Sequence, residues 1–111
     1  MKSKNYLVRT NQYFVLSRGS EFECEIQGLA LVHLYETNED KPKGVWAIID
    51  IASGLFVSSN KIRKELLARW EVMKETWIPR VLGARQTERY GKRVLELHEE
   101  KKVWRESGYV L

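Results

Sequence analysis

The spacing of apolar residues changes once along this 111-residue chain, and that change constrains the fold more than any other feature. Before about residue 58 the apolar residues form short runs or alternate with polar ones, which is the period of a β-strand. From Asn60 onward they recur every three or four residues, which is the period of an amphipathic helix. The sequence therefore predicts an α+β fold. At 13.1 kDa the chain is interpreted as one domain spanning residues 1–111 with a single shared core.

The first half predicts an antiparallel β-meander of about four to six strands between residues 5 and 57. Phe22, Cys24 and Ile26 alternate with polar neighbours, which is the clearest strand pattern in the chain. The other predicted strands, rich in β-branched and aromatic residues, are 6–8, 13–16, 29–35, 45–51 and 55–57, with a helix over 29–36 as an alternative. Turns, bends or loops are predicted at 17–20, at Gly28, at 36–44 and at 52–54.

The second half predicts two amphipathic helices, over about 60–77 and 80–106. Small polar residues at 58–60 suit the cap of the first helix, and Pro79 predicts a break at 77–79. The apolar stripe of the first helix, predicted to cover the sheet, is Ile62, Leu66, Leu67, Trp70, Met73, Trp77 and Val81. The narrower stripe of the second is Tyr90, Val94, Leu95, Leu97 and Trp104. Ser107 and Gly108 predict its end, before a free tail at 109–111.

Composition excludes several classes of protein. A chain that is 43% hydrophobic, with four Trp, five Tyr and three Phe, has enough large apolar side chains to fold without disulfides or metal. Cys24 is the only cysteine, and the N-terminal residues are not followed by the apolar run of a secretory signal. No stretch approaches the ~18 apolar residues that a membrane span needs. We therefore expect a cytoplasmic location and no membrane partner, and no oligomeric state is predicted.

The residues that could carry catalysis are few and scattered. His33 lies among apolar residues and His98 among glutamates, so they are interpreted as core or surface histidines. Cys24, on the apolar side of its predicted strand, is interpreted as a small hydrophobic residue. One cysteine and two distant histidines offer no paired spacing for zinc. The sequence predicts a protein that is not an enzyme, with no cofactor, metal or small-molecule substrate.

Two local patterns have structural explanations. Asp50 ends the most apolar predicted strand, and we interpret its side chain as the cap of the turn at Ser53 and Gly54. The segment from Gly83 to Lys92 superficially resembles a phosphate-binding loop. Seven residues separate its glycines, whereas a phosphate-binding loop has four and follows a strand. Nucleotide hydrolysis is therefore not predicted.

Positive charge is concentrated in the second half. Residues 1–59 carry a net charge of −1 and residues 60–111 carry +5. Arg85, Arg89 and Arg93 are four residues apart and are predicted to stack on one helix face. Either they bind phosphates or an acidic protein surface, or their stems cover apolar surface while their heads pair with the glutamates at 21–25. The candidate partner-binding residues are Lys61, Lys64, Arg69, Arg80, Arg85, Arg89, Lys92 and Arg93.

Residues 46–57 (WAIIDIASGLFV) and 61–66 (KIRKEL) resemble the strand, turn, strand and helix of the arm-type DNA-binding domain of tyrosine-recombinase integrases. That resemblance implies a sheet that enters the major groove with a helix packed behind it. In size and charge the chain also resembles small proteins carried by phages, plasmids and conjugative elements of Gram-positive bacteria, anti-CRISPR inhibitors among them. This second resemblance implies inhibition of a host nuclease by occupying a surface meant for nucleic acid.

Two functions are expected on these grounds. The first is a non-catalytic binding protein, an anti-CRISPR-like inhibitor from a mobile element, that docks on a protein or nucleoprotein partner such as a host nuclease. Any of Trp70, Trp77 and Trp104 left exposed would be its anchor. The alternative is direct binding of DNA or RNA through the basic second helix.

Overall fold

The computed structural model describes residues 3–11, 13–36 and 43–111. It contains a five-stranded antiparallel sheet followed by two helices, so the predicted α+β meander is confirmed. The strands lie in chain order across the sheet. The elements are β1 (Lys4–Arg9), β2 (Phe14–Glu21), β3 (Leu29–Glu36), β4 (Lys43–Asp50), β5 (Phe56–Asn60), α1 (Arg63–Ala84) and α2 (Glu88–Glu106).

β2 continues through residues 17–20, so the turn predicted there is wrong. Gly19 pairs with Val32 across the β2–β3 ladder. A Cβ atom added to Gly19 would lie only 2.2 Å from the carbonyl oxygen of Leu31. Glycine therefore allows two strands to approach closely at this position and does not mark a turn.

The strand predicted at 22–26 is also wrong, because this segment is the loop that joins β2 to β3. Phe22, Cys24 and Ile26 nevertheless pack on the core, while the glutamates between them are exposed. The alternation of apolar and polar residues thus reflects which side chains contact the core. It does not indicate that the segment pairs with another strand. The bend predicted at Gly28 is confirmed, since this residue has a φ of 85°.

Other boundaries shift by a few residues. β3 confirms the strand predicted over 29–35, and the helix alternative is wrong. Part of the loop predicted at 36–44 is strand, since β3 ends at Glu36 and β4 begins at Lys43. The remainder, residues 37–42, lies outside the described residues. The turn predicted at 52–54 is confirmed, with Gly54 at a φ of 74°.

α1 is a single helix from Arg63 to Ala84, so the start predicted at 60 and the break predicted at Pro79 are wrong. Residues 58–60 extend β5, and the Asn60 carboxamide accepts a hydrogen bond from the Ile62 amide at 2.9 Å before the helix begins. Pro79 is exposed, so water can solvate the carbonyl group that loses its helical partner. Trp77, Ile78 and Val81 all pack on the core and hold the helix together on both sides of the proline.

α2 begins at Glu88, eight residues later than predicted, because Thr87 caps it. The Thr87 hydroxyl accepts a hydrogen bond from the Tyr90 amide at 3.1 Å. The predicted end is confirmed by Gly108, which has a φ of 98°. The tail is not free as predicted, because Tyr109 packs on Trp104 and the carbonyl of Val110 accepts a hydrogen bond from Asn5.

One face of the sheet carries both helices. α1 packs on β4 and β5, and α2 packs on β1. Beneath α1 most of the apolar stripe predicted from the sequence packs in a core, with Trp70 and Leu66 fully buried, but Ile62 is exposed. Because the two helices pack near opposite edges of the sheet, the same face of β2 and β3 is left partly open between them.

On the other face, side chains of different strands pack against one another. Its buried cluster joins Tyr6 and Val8 of β1 to residues of β3 and β4, and it includes no helical residue in the described part of the chain. Neighbouring strands lie about 4.8 Å apart, so a flat sheet would hold β1 and β4 about 14 Å from each other. The amide of Arg9 instead donates a hydrogen bond to the carbonyl of Gly54 at 2.9 Å. The sheet therefore curls until β1 meets the turn after β4.

In this curled sheet β2 and β3 are paired over only part of their length, and we call the unpaired part the seam. β2 pairs with β1 from Phe14 to Gly19 but with β3 only from Arg18 to Glu21. Over residues 14–17 the described part of β2 has no ladder partner on its β3 side. The Arg18–His33 pair is the last pair of the β2–β3 ladder before the unpaired residues of β2.

Candidate nucleic-acid interface

A groove of about 690 Å³ occupies the open face between the helices, at the seam. Leu16 and Leu31 give its floor apolar surface, and Asn5 and Ser20 add polar groups. Four aromatic or cationic side chains distinguish the groove, and each comes from a different element of the fold. They are Arg18, His33, Trp46 and Arg63. Residues 45 positions apart in sequence thus share one surface.

The register of β3 and β4 determines which side chains lie at the centre of this groove. His33 of β3 is paired with Trp46 of β4, so their side chains emerge side by side on the same face. The two rings are stacked, with centroids 4.2 Å apart and planes inclined by 7°. A Cβ atom at Gly44 would lie 2.2 Å from the His33 ring, so the glycine leaves the room that this imidazole occupies.

Cations flank the aromatic pair. The guanidinium of Arg63, in the first turn of α1, lies 5.6 Å from the centroid of the Trp46 ring, which is a cation–π contact. Arg18 is exposed and is paired with His33 on the other side. Among the described residues no carboxylate lines the groove, and neither arginine forms an ion pair there. The groove therefore combines an aromatic floor with a positive rim.

None of the predicted binding residues lines this groove, and two of them adjoin Arg63 in the sequence. Lys61 and Lys64 are exposed on either side of Arg63. Arg69 and Lys92 are exposed on α1 and α2. Arg80 is exposed on α1, at the mouth of a separate pocket of about 280 Å³.

The predicted stack of Arg85, Arg89 and Arg93 is wrong. A turn at 85–87 separates α1 from α2, so Arg85 follows the end of one helix while the other two lie in the next. Arg93 is half-buried and pairs with Glu96 at 3.2 Å. Arg89 and Arg93 line a cleft together with Arg9, which also pairs with Glu96, at 2.9 Å.

Arg85 has a structural role. One of the two interpretations of the sequence predicted such a role, but the partner is different. It pairs with Asp50 at 2.9 Å and also donates to the carbonyl of Gln27. Two of the three glutamates proposed as its partners contact lysines instead, Glu25 with Lys74 at 2.8 Å and Glu21 with Lys4 at 4.0 Å. The hydrogen bond from Lys74 lowers the pKa of the exposed Glu25.

Asp50 is buried and joins three segments of the chain. Its Oδ2 atom accepts hydrogen bonds from the Ser53 amide, the Ser53 hydroxyl and the Tyr90 hydroxyl, at 3.1, 2.7 and 2.8 Å. Its Oδ1 atom accepts from the Nε of Arg85 at 3.0 Å. The turn-capping role predicted for Asp50 is confirmed, and α1 and α2 are tied to the same carboxylate. Burial, with the hydrogen bond to Asp50, raises the pKa of Tyr90 to about 12.

Replacing Arg85 with glutamine is expected to lower the free energy of unfolding by about 1.5–3 kcal/mol, the usual contribution of hydrogen bonds to a charged group. Arg89→Gln is the matched control, because Arg89 is exposed in the next helix and should change stability by less than about 0.5 kcal/mol. Urea denaturation of both variants measures the difference. Equal losses from the two substitutions would contradict the separate roles assigned here.

Neither a metal centre nor a membrane span is found in the described ranges. Residues 3–11, 13–36 and 43–111 contain no group of three His, Cys, Asp or Glu side chains placed to hold a metal ion. No helix in that part of the chain is long and apolar enough to cross a membrane.

Comparison of the chain with protein-family models, with curated proteins and with solved structures found no match. The residues of the groove are therefore the starting point for function. Sequence reasoning missed Arg18, Trp46 and Arg63 as site residues and assigned His33 to the core or surface. The pairing of β3 with β4 places His33 beside Trp46. Predicting that neighbour from the sequence would have required the register of the two strands.

Proposed function

We propose that this chain is a non-catalytic nucleic-acid-binding protein whose groove is the contact surface. The observation that carries the proposal is the His33–Trp46 stack set between Arg18 and Arg63, with no described carboxylate lining the groove. Aromatic rings stack on bases, and arginines bind phosphates. Lys61 and Lys64 add positive charge at the adjacent start of α1.

The proposal uses a different surface from the basic second helix considered in the sequence analysis. Of the arginines expected there, Arg85 is committed to Asp50 and Arg93 to Glu96. Arg18 and Arg63 form no ion pair among the described residues, so their charge is available to a ligand.

Affinity for nucleic acid is expected to fall as salt rises, and to depend on the arginines of the groove. The probe is a fluorescein-labelled 20-nucleotide DNA of mixed sequence, tested both single-stranded and as a duplex by fluorescence anisotropy. The logarithm of the binding constant should decrease linearly with the logarithm of salt concentration, by about 0.7–0.9 per phosphate contact. Replacing both Arg18 and Arg63 with glutamine should weaken binding and reduce that slope by about 1–2.

The control variant carries Arg80→Gln and Arg89→Gln, which removes the same charge from exposed positions outside the groove. It should bind almost as well as the unmodified protein. Absence of binding of either probe at low salt would overturn the proposed function. A larger loss in the control variant than in the groove variant would move the interface to the region predicted from the sequence.

Docking on a protein partner such as a host nuclease, with inhibition in the manner of an anti-CRISPR protein, stays a prediction. The tryptophans considered as anchors do not favour it, because Trp70 is buried and Trp77 and Trp104 are half-buried. The groove experiment bears on both functions, because a protein that only docks on a nuclease and blocks it has no need to bind the oligonucleotides themselves.

A further inference from the structure

The groove is concave and its aromatic surface lies on the floor. Trp46 is half-buried and packs at the edge of the core beneath α1, and Leu31 beside it is buried. The arginines stand at the rim, Arg18 exposed on the sheet and Arg63 exposed on the helix. A duplex fits this arrangement poorly, because its bases are stacked within and its outward-facing phosphates would meet the apolar floor of the groove.

We infer that the groove binds single-stranded nucleic acid, with an unpaired base stacked on Trp46 and the neighbouring phosphates held by Arg18 and Arg63. This inference rests on the proposed function and names its ligand class. A single strand can turn its bases toward the floor while its phosphates remain at the rim. The groove volume of about 690 Å³ lies within the ~300–1,000 Å³ typical of ligand pockets, so it accommodates only a short stretch of strand.

The base reaches Trp46 by taking the position of Arg63. One face of the indole is covered by His33, whose ring is parallel and 4.2 Å away. The Arg63 guanidinium also lies over the indole, 5.6 Å from its centroid, near the outer limit of about 6 Å for a cation–π contact. Arg63 is a flexible side chain on an exposed first helical turn, so it can swing from the ring to a phosphate.

The test compares four probes of equal length by anisotropy: single-stranded DNA, single-stranded RNA, the DNA duplex, and a single strand carrying an abasic tract. The abasic strand keeps every phosphate and removes the bases that would stack. We expect either single strand to bind at least tenfold more tightly than the duplex, and the abasic tract to weaken binding about 5- to 150-fold, the range for losing one base–aromatic stack.

Variants at Trp46 connect the preference to this residue. Trp46→Leu keeps apolar volume without a ring and should lower single-strand affinity about 5- to 150-fold while changing duplex binding little. Trp46→Phe keeps a ring and should retain most of the affinity. Thermal melts confirm that both variants are folded, and the abasic probe needs no variant at all.

The outcomes separate this inference from the function on which it rests. If none of the probes binds, the proposed function fails. If duplex and single strand bind equally, or the abasic strand binds as well as the intact one, the protein binds nucleic acid through phosphates alone and the inference is overturned. A preference for RNA over DNA, or the reverse, supports the inference and identifies the strand.

Discussion

Replacing Asp50 with alanine is expected to lower the free energy of unfolding by about 3–5 kcal/mol, the cost of removing one partner from a buried ion pair. The substitution leaves the Arg85 guanidinium half-enclosed without its carboxylate. It also removes the acceptor of the Ser53 and Tyr90 hydroxyl groups. Both helices and the β4–β5 turn meet at this carboxylate, so one substitution loosens three junctions.

Glu23→Ala is the matched control for Asp50, because Glu23 is an exposed carboxylate and its loss should change stability by less than about 0.5 kcal/mol. Urea denaturation followed by circular dichroism measures both variants. A double-mutant cycle adds Arg85→Gln to Asp50→Ala, and the arginine change should cost far less when Asp50 is already absent. If Arg85→Gln costs the same in both backgrounds, the ion pair is not what stabilises this corner.

Trp70→Ala is the second change with a large expected effect, and it should also lower the free energy of unfolding by about 3–5 kcal/mol. Trp70 is 1% exposed and is the largest fully buried side chain among the described residues. Its ring meets Phe22 edge to face, with centroids 5.2 Å apart, and lies 6.1 Å from Trp77. Removing it leaves a cavity beneath α1 and takes away the surface on which the 22–28 loop rests.

Val72→Ala, two residues away on the same helix, is the control because Val72 is 79% exposed. Its effect should stay within about 0.5 kcal/mol, with alanine favoured by helix propensity. Trp70→Phe should fall between the two, since it keeps an aromatic ring in a smaller volume. A loss near 1 kcal/mol for Trp70→Ala would mean that α1 settles into the space, and that the helix is less firmly seated than its burial indicates.

Local pattern was a sound guide wherever chain neighbours decide the conformation. Short apolar runs, the period of 3.6 and the glycines at helix and turn ends act within a few residues, and they identified β3, the face of α1 that holds Trp70, and the end of α2 at Gly108. The cap of the β4–β5 turn by Asp50 is also local, because Ser53 is three residues away. These predictions needed no knowledge of how the chain packs.

The same local patterns gave wrong predictions where the burial of side chains does not match the hydrogen bonding of the backbone. Phe22, Cys24 and Ile26 alternate in burial because a loop lies on the core, and nothing in the sequence distinguishes that loop from a strand. Pro79 predicts a break because proline disfavours helix at the residue before it and suits the start of a new helix, yet packing of Trp77 and Val81 on the core outweighs that preference. Both errors arise because tertiary contacts override a local preference of a few kcal/mol.

By itself the sequence determined that this protein is a β-meander followed by two helices, and which helical face packs on the sheet beneath α1, because those features follow from spacing along the chain. Only the tertiary structure decided that Arg85 turns inward to Asp50 and away from Arg89 and Arg93. It also decided that Arg18, His33, Trp46 and Arg63 line one groove. The reason is physical: strand register and helix placement are set by contacts between residues far apart in sequence, and a one-residue change of register would turn each side chain to the opposite face.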